Sequence, residues 1–410
     1  VSRRSAIALS AFVFLALSTV AHVTDNPTLT GAGTFGAALR LALPIGLAGL
    51  GGLWSERAGV VNIGLEGMMI LGMWFGAWGG VEHGPAFAVV MGIVGGALGG
   101  LLHAIATVWF GVDHIVSGVA INLLGAGAAR YLNVIVFEGV PGAGATQSPR
   151  VQGVVPRLDL PILSGGDLGG WHSPDVLGWL DKRDWFAVSD LAGVLGGATR
   201  NVPLVVILGV ALVPLSWWIL WRTPFGLRLR SVGEDPVAAE SLGVDVYRLK
   251  TIAVLVSGGL AGLGGAVLVL VQSGIYRENQ IAGRGFIGLA AMIFGNWRPG
   301  GLAFGAGLFG FFDALRLRDL AAVHAMLLVV AILLAAGAVL FGWGRRWRPA
   351  ALALAVAGGL FAWWATSDSY PKEFQPFTPH LATLLLLAFA SQRLRMPAAD
   401  GLPYRRGQGR

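Results

Sequence analysis

Apolar runs of roughly 15 to 25 residues recur along almost the whole of this 410-residue chain, separated by short clusters of Arg, Asp, Gly and Pro. A hydrocarbon core about 30 Å thick takes about 20 helical residues to cross, and each backbone N–H and C=O inside it must be paired within the protein. With 55% hydrophobic and 12% charged residues and a mean hydropathy of +0.69, the composition falls outside the range of water-soluble domains. The expected fold is therefore all-α. The chain reads as a polytopic integral membrane protein, one transmembrane domain over residues 1–410 with about twelve transmembrane or partly re-entrant helices.

The segments fall at about residues 6–21, 35–53, 60–81, 85–110, 115–136, 202–221, 251–273, 285–296, 300–315, 322–343, 350–366 and 379–391. Segment 285–296 is too short to cross alone and reads as a half-helix paired with its successor. Residues 137–201 form the one long polar interruption, expected to be an external loop with a short helix around Trp179. An even number of crossings puts both termini on one side. With the amino terminus in the cytoplasm, 17 of the 29 Lys and Arg residues lie inside, 10 outside and two within segments, the asymmetry expected of cytoplasmic loops. Arg3, Arg4 and the run ending at Thr19, Val20 and Ala21 also carry the pattern of a signal peptide. An uncleaved first helix is the reading that keeps the parity.

The formal charge of +7 and pI near 10.3 do not point to nucleic acid, because the positive residues sit in loops between apolar runs. Cysteine is absent and the seven histidines form no ligand-spaced cluster, so neither a metal site nor a cofactor is expected. A phosphate-binding P-loop needs Lys after Gly. Lys182, Lys250 and Lys372 are the chain's lysines, and none follows glycine. Catalysis is therefore not expected in this chain.

Polar residues inside apolar segments are costly and mark either a path or an interhelical hydrogen bond. Asn62 and Glu66 have the spacing of one helical turn, and Asn122, Asn133 and Asp313 also interrupt apolar runs. Asn62, Glu66 and Asn122 are the candidate substrate-path residues, although interhelical bonding explains Glu66 equally well and is the commoner role of a lone amide such as Asn122. His103 reads as packing. Gly92, Gly96 and Gly100, with Gly258 and Gly262, have the spacing of closely packed helices. In the basic loop 222–250, Asp235 can cap a short helix, Pro236 suits its first turn and Gly243 can end it with a positive φ. Such a helix is too short to stand alone.

The stretches 56–69, 111–118, 232–250, 283–297 and 397–404 closely resemble permease subunits of bacterial nucleoside ABC importers, and more broadly the branch shared with simple-sugar and branched-chain amino-acid permeases. The resemblance touches most of the chain in order. It implies that Asp235, Pro236, Ala238, Ala239, Glu240 and Gly243 build the coupling helix that docks on an ATP-binding subunit, and that the Asn62–Glu66 helix lies beside the translocation path. It also implies a second permease subunit, an external substrate-binding lipoprotein and a bacterial plasma membrane with both termini cytoplasmic. A simple sugar is the alternative cargo. A proton-coupled secondary transporter, relaying through Glu66 and Asp313, and a membrane-embedded enzyme are the rival classes. The chain departs from the family pattern at residues 322–366, where two further apolar runs form an extra hairpin around Arg345, Arg346 and Arg348.

Overall fold

The computed structural model describes residues 3–367, 369–377 and 394–407. In chain order its helices are α1 (Arg3–Val23), α2 (Ala32–Arg57), α3 (Leu65–His83), α4 (Pro85–Ala104), α5 (His114–Phe137), α6 (Val176–Asp181), α7 (Val188–Thr199), α8 (Leu204–Arg222), α9 (Pro224–Glu234) and α10 (Pro236–Ser241). They continue as α11 (Val246–Val267), α12 (Arg284–Phe294), α13 (Pro299–Arg318), α14 (Leu320–Trp343) and α15 (Trp347–Thr366). Short π-helical turns, Ile105–Trp109 and Leu268–Ser273, extend α4 and α11. Among the described residues eight helical stretches are long and apolar enough to cross a membrane, and Ile7–Val23 and Arg284–Phe294 are shorter apolar helices. The expected segment 379–391 lies outside the described residues. The all-α polytopic reading holds.

The chain divides into two compact units. The larger comprises residues 42–157, 203–308 and 390–410, and α3 lies at its centre. Met68, Met69, Met73, Trp74 and Ala77 of α3 are buried against Ile121 of α5, Ala261 of α11 and Leu268 of the π-helical turn that follows α11. Where α4 meets α11, glycine faces glycine. A Cβ built on Gly96 would stand 2.2 Å from the Gly258 carbonyl oxygen and 2.5 Å from Gly262 Cα, and one on Gly262 would stand 2.2 Å from the Gly92 carbonyl oxygen. The small-residue spacing read from the sequence is thus used for direct backbone contact. At the end of α2, Leu50, Leu53 and Trp54 pack against Leu220, Leu229, Ala253, Met292 and Leu302, and Trp54 Nε1 donates to Ser216 Oγ at 3.0 Å.

The smaller unit comprises residues 1–41, 158–202 and 309–389. Here the buried Asp190 carboxylate accepts from the hydroxyls of Ser18 and Thr30, and Asn26 Nδ2 donates to Asp319 at 2.9 Å. Helices α14 and α15 form a hairpin, with Arg345 at φ +55° in the turn. His324 and Ser367, hydrogen-bonded at 3.0 Å, join the start of α14 to the residue after α15. Within this unit the stretch expected to hold a short helix has two, α6 with Trp179 and α7.

Candidate functional site

Residues 58–64 separate α2 from α3, so the break takes in the first residues of the run read as 60–81, and it is the centre of the site. Gly59 turns the chain at φ +79°, where a Cβ would meet the Ala399 carbonyl oxygen at 3.1 Å and Gly233 Cα at 3.3 Å. Helix α3 starts at Leu65, so Asn62 is not on the helix that carries Glu66, contrary to the expectation of one shared face. The physical reason is local: Asn62 Oδ1 accepts the Gly64 N–H at 3.1 Å, a side-chain turn that competes with helix.

Non-helical backbone buried in the protein must find hydrogen-bond partners, and here side chains of several helices supply them. Lys250 Nζ of α11 donates to the Gly59 carbonyl at 3.3 Å, and Ser55 Oγ donates to that of Val60 at 2.6 Å. The Val61 N–H donates to His114 Nδ1 at 3.2 Å. His103 Nε2 stands 3.1 Å from the Val61 carbonyl oxygen and its Nδ1 2.8 Å from Ser117 Oγ. The carbonyl can only accept, which fixes the His103 proton on Nε2. His103 therefore does more than pack: it ties α4 and α5 to the break. Asn62, fully buried, donates through Nδ2 to Ser257 Oγ at 2.8 Å.

Asn122 of α5 reaches over the start of α3. Its Oδ1 accepts the Gly67 N–H at 2.8 Å and its Nδ2 donates to the Ile63 carbonyl at 3.1 Å. Glu66 faces the amino terminus of α12, where its Oε1 accepts from Gly283 N–H at 2.8 Å and its Oε2 from Gly285 N–H at 2.7 Å. A carboxylate there meets both unpaired donors and the positive end of the helix dipole. A Cβ on Gly285 would stand 2.6 Å from Glu66 Cα, so glycine is needed for the approach. The structure thus brings Asn62, Glu66 and Asn122 together around residues 62–67, Asn62 wholly buried and the other two partly exposed. Asn133 instead donates to loop carbonyls of Gly144 and Gln147, and Asp313 pairs with Arg316 at 2.7 Å.

The loop 222–250 contains α9 and α10. Asp235 Oδ1 accepts the N–H groups of Val237 and Ala238 at 3.1 and 3.0 Å, Pro236 opens the helix, and Gly243 follows it at φ +81° with open space where a Cβ would lie. Ala239 is buried with Val232, Val246, Leu249 and Tyr404, while Val237 is 41% and Leu242 85% exposed. Glu240 does not face solvent freely. It accepts from Tyr404 Oη, and from Arg406 Nε at 2.8 Å. The tail that carries Tyr404 is laid along this loop: Ala399 N–H donates to the Gly233 carbonyl at 2.9 Å and Ala398 N–H to Glu234 at 3.2 Å. Asp400 is buried beside Glu56, Lys250 and Arg57, and burial, chiefly, pushes its carboxyl up to about 7.

Residues 34–337 match the family described as the branched-chain amino acid transport system / permease component. The chain belongs to this permease family. The permease is 34% identical over 380 residues to the guanosine ABC transporter permease protein NupQ of Bacillus subtilis, covering 91% of this chain and 96% of that one. It is 31% identical over 373 residues to the nucleoside ABC transporter permease protein NupC of Lactococcus lactis, covering 88% and 93%. To the putative glucose ABC transporter permease protein TsgC13 of Haloferax volcanii it is 32% identical over 289 residues, covering 70% and 78%. No solved structure matches the permease.

Sequence reasoning missed Lys250, His114, Ser257 and Asp400 as members of this permease's polar interior. The first three are single polar residues at the ends of or within apolar runs, and their signal was the cost of burial itself.

Proposed function

We propose that this permease carries nucleosides across a bacterial plasma membrane, driven by ATP hydrolysis in a separate subunit, with a second permease subunit and an external substrate-binding lipoprotein completing the importer. The observation that carries the reading is similarity over nearly the whole chain to two relatives named for guanosine and nucleoside transport. A nucleoside is neutral, with a flat base and several hydroxyls, and suits a path of apolar walls with a few amide and carboxylate groups. Glu66 and Asn122, partly exposed beside the break, are the side chains we assign to that path, with Asn62 as the buried group that shapes it. The docking element is α10: capped by Asp235, stopped by Gly243, it offers Val237, Ala238 and Leu242 to a partner while Glu240 is tied to the carboxy-terminal tail. An exposed apolar edge on a six-residue helix outside the apolar segments has no structural purpose within the chain.

A simple sugar is the second reading, favoured by the similarity to the putative glucose permease. Uptake of radiolabelled guanosine, adenosine, uridine, ribose and glucose, compared in cells with and without the gene, separates the two. Loss of nucleoside uptake with sugar uptake intact is expected. Loss of ribose or glucose uptake alone would overturn the nucleoside assignment and leave the permease standing.

A further inference from the structure

Where α2, α8 and α9 end, the larger unit holds a basin of about 420 Å³ lined by Arg57, Trp221, Glu234, Asn296, Arg298 and Arg395 together with Met396. Its charge is unbalanced. Three guanidinium groups meet one carboxylate, and a fourth stands at the rim: Arg57 and Arg230 both lie over the Trp221 ring, 5.3 and 5.5 Å from its centroid. None of these four arginines forms an ion pair with a described residue. Bringing like charges to one indole is unfavourable unless an anion joins them.

The donors are also pre-positioned. Arg57 is fixed by bonds from Nε and Nη2 to the Trp297 carbonyl at 3.1 and 2.7 Å, which leaves its other terminal nitrogen free. Arg230 spends Nε on the Leu220 carbonyl at 2.9 Å and keeps both terminal nitrogens. The Arg298 and Arg395 guanidinium groups are exposed, and neither makes a hydrogen bond to a described residue. Arg395 is carried to the rim by its own backbone, whose N–H donates to Asn296 Oδ1 at 2.7 Å. Several planar forks with free donors around one space match the oxygens of a phosphate group.

We propose that this basin binds the phosphate headgroup of an anionic phospholipid. The level of the site favours a phosphate brought by lipid over one in solution. Trp217 and Trp218, on the last turns of α8 just before the basin, are 44% and 54% exposed, and Arg222 stands over Trp217 at 5.2 Å. An exposed aromatic belt with arginines at the end of a spanning helix marks the headgroup layer. The ring of Trp221 forms one wall and the stem of Met396 offers apolar surface for the glycerol region. The basin opens beside the tail that straps α9 and α10, so the bound lipid would be held against the loop we assign to coupling.

The test uses the full-length permease purified in detergent, stripped of lipid and titrated by native mass spectrometry with phosphatidylglycerol, phosphatidylcholine and inorganic phosphate in separate arms. The variant Arg298→Gln/Arg395→Gln removes two guanidinium groups that make no hydrogen bond or ion pair to a described residue, and Arg345→Gln/Arg346→Gln removes equal charge from the α14–α15 turn as the control. Phosphatidylglycerol is expected to bind in preference to phosphatidylcholine, with roughly 20- to 30-fold weaker binding in the first variant and unchanged binding in the control. An equal loss in the control would make the effect one of overall charge and overturn the site. Binding of inorganic phosphate that depends on Arg298 and Arg395, with no preference for phosphatidylglycerol, would overturn the lipid as the source. If the first variant instead keeps its lipid but no longer co-purifies with the ATP-binding subunit, the basin is a protein-docking surface and the proposal falls.

Discussion

Glu66 stands 217 positions before the first N–H group it caps, and the identity of its side chain matters more than its charge alone suggests. Replacement by alanine leaves the N–H groups of Gly283 and Gly285 without acceptors, at a cost of about 1–3 kcal/mol. Glutamine keeps one good acceptor and is expected to cost less. Thermal unfolding of the purified variants should rank wild type above Glu66→Gln and Glu66→Ala last; an alanine variant as stable as wild type would remove the cap from the account. Asp400 makes a second expectation at this scale. Its carboxyl is raised from 3.8 to about 7, so the native tail binds its proton more tightly than the unfolded chain. The stabilisation is full below about pH 4 and is lost as pH rises through about 7. Protection of the Ala399 N–H from hydrogen exchange, corrected for intrinsic rate, should fall between about pH 4 and pH 7 and level off above in the native protein, and stay level throughout in Asp400→Asn. A steeper fall in the variant would contradict the assignment.

At the scale of elements, what is legible in sequence is what is local. The cap, first turn and stop of α10 occupy nine consecutive residues, 235–243, and each signal, from Asp235 through Pro236 to Gly243, is used by the structure as read. The start of α3 shows the opposite. Periodicity carried the helix back through Asn62, but an amide that bonds Gly64 and Ser257 ends it at Leu65, and Ser257 is 195 positions away. The same distance hid the strap, because no pattern around Glu240 announces Tyr404 164 residues later. Two substitutions separate docking from folding in α10. Leu242→Arg changes a side chain that is 85% exposed and should alter stability by no more than about 0.5 kcal/mol, yet abolish substrate-stimulated ATP hydrolysis in the reconstituted importer. Gly243→Val strains a left-handed residue by about 1–2 kcal/mol and should lower both. Unaltered stimulation in Leu242→Arg would count against a docking role.

For the whole molecule, the pattern of apolar runs foretold the helical membrane fold and most of its segment boundaries, because bilayer thickness sets segment length irrespective of tertiary contacts. The sidedness of the loops is tested by labelling. Single cysteines in this cysteine-free chain at Val154, 81% exposed in the long loop, and at Trp347, 70% exposed beside the basic turn, should react with an impermeant thiol reagent from outside at the first position alone. Labelling from outside at Trp347 but not Val154 would invert the proposed orientation. The α14–α15 hairpin keeps the basic turn and the loop on opposite sides in that scheme.

The contact between α4 and α11 has a further consequence. Most helix pairs are separated by side chains that can exchange rotamers, which lets one helix slide or roll on the other at small cost. Gly96 and Gly100 against Gly258 and Gly262 leave no such cushion, since even one added carbon would overlap the opposing main chain, and one on Gly92 would meet the Ala266 side chain. The two helices therefore travel as a single rigid body, and any opening and closing within the larger unit has to be taken up elsewhere: at the break before α3, or at the π-turns where α4 and α11 end.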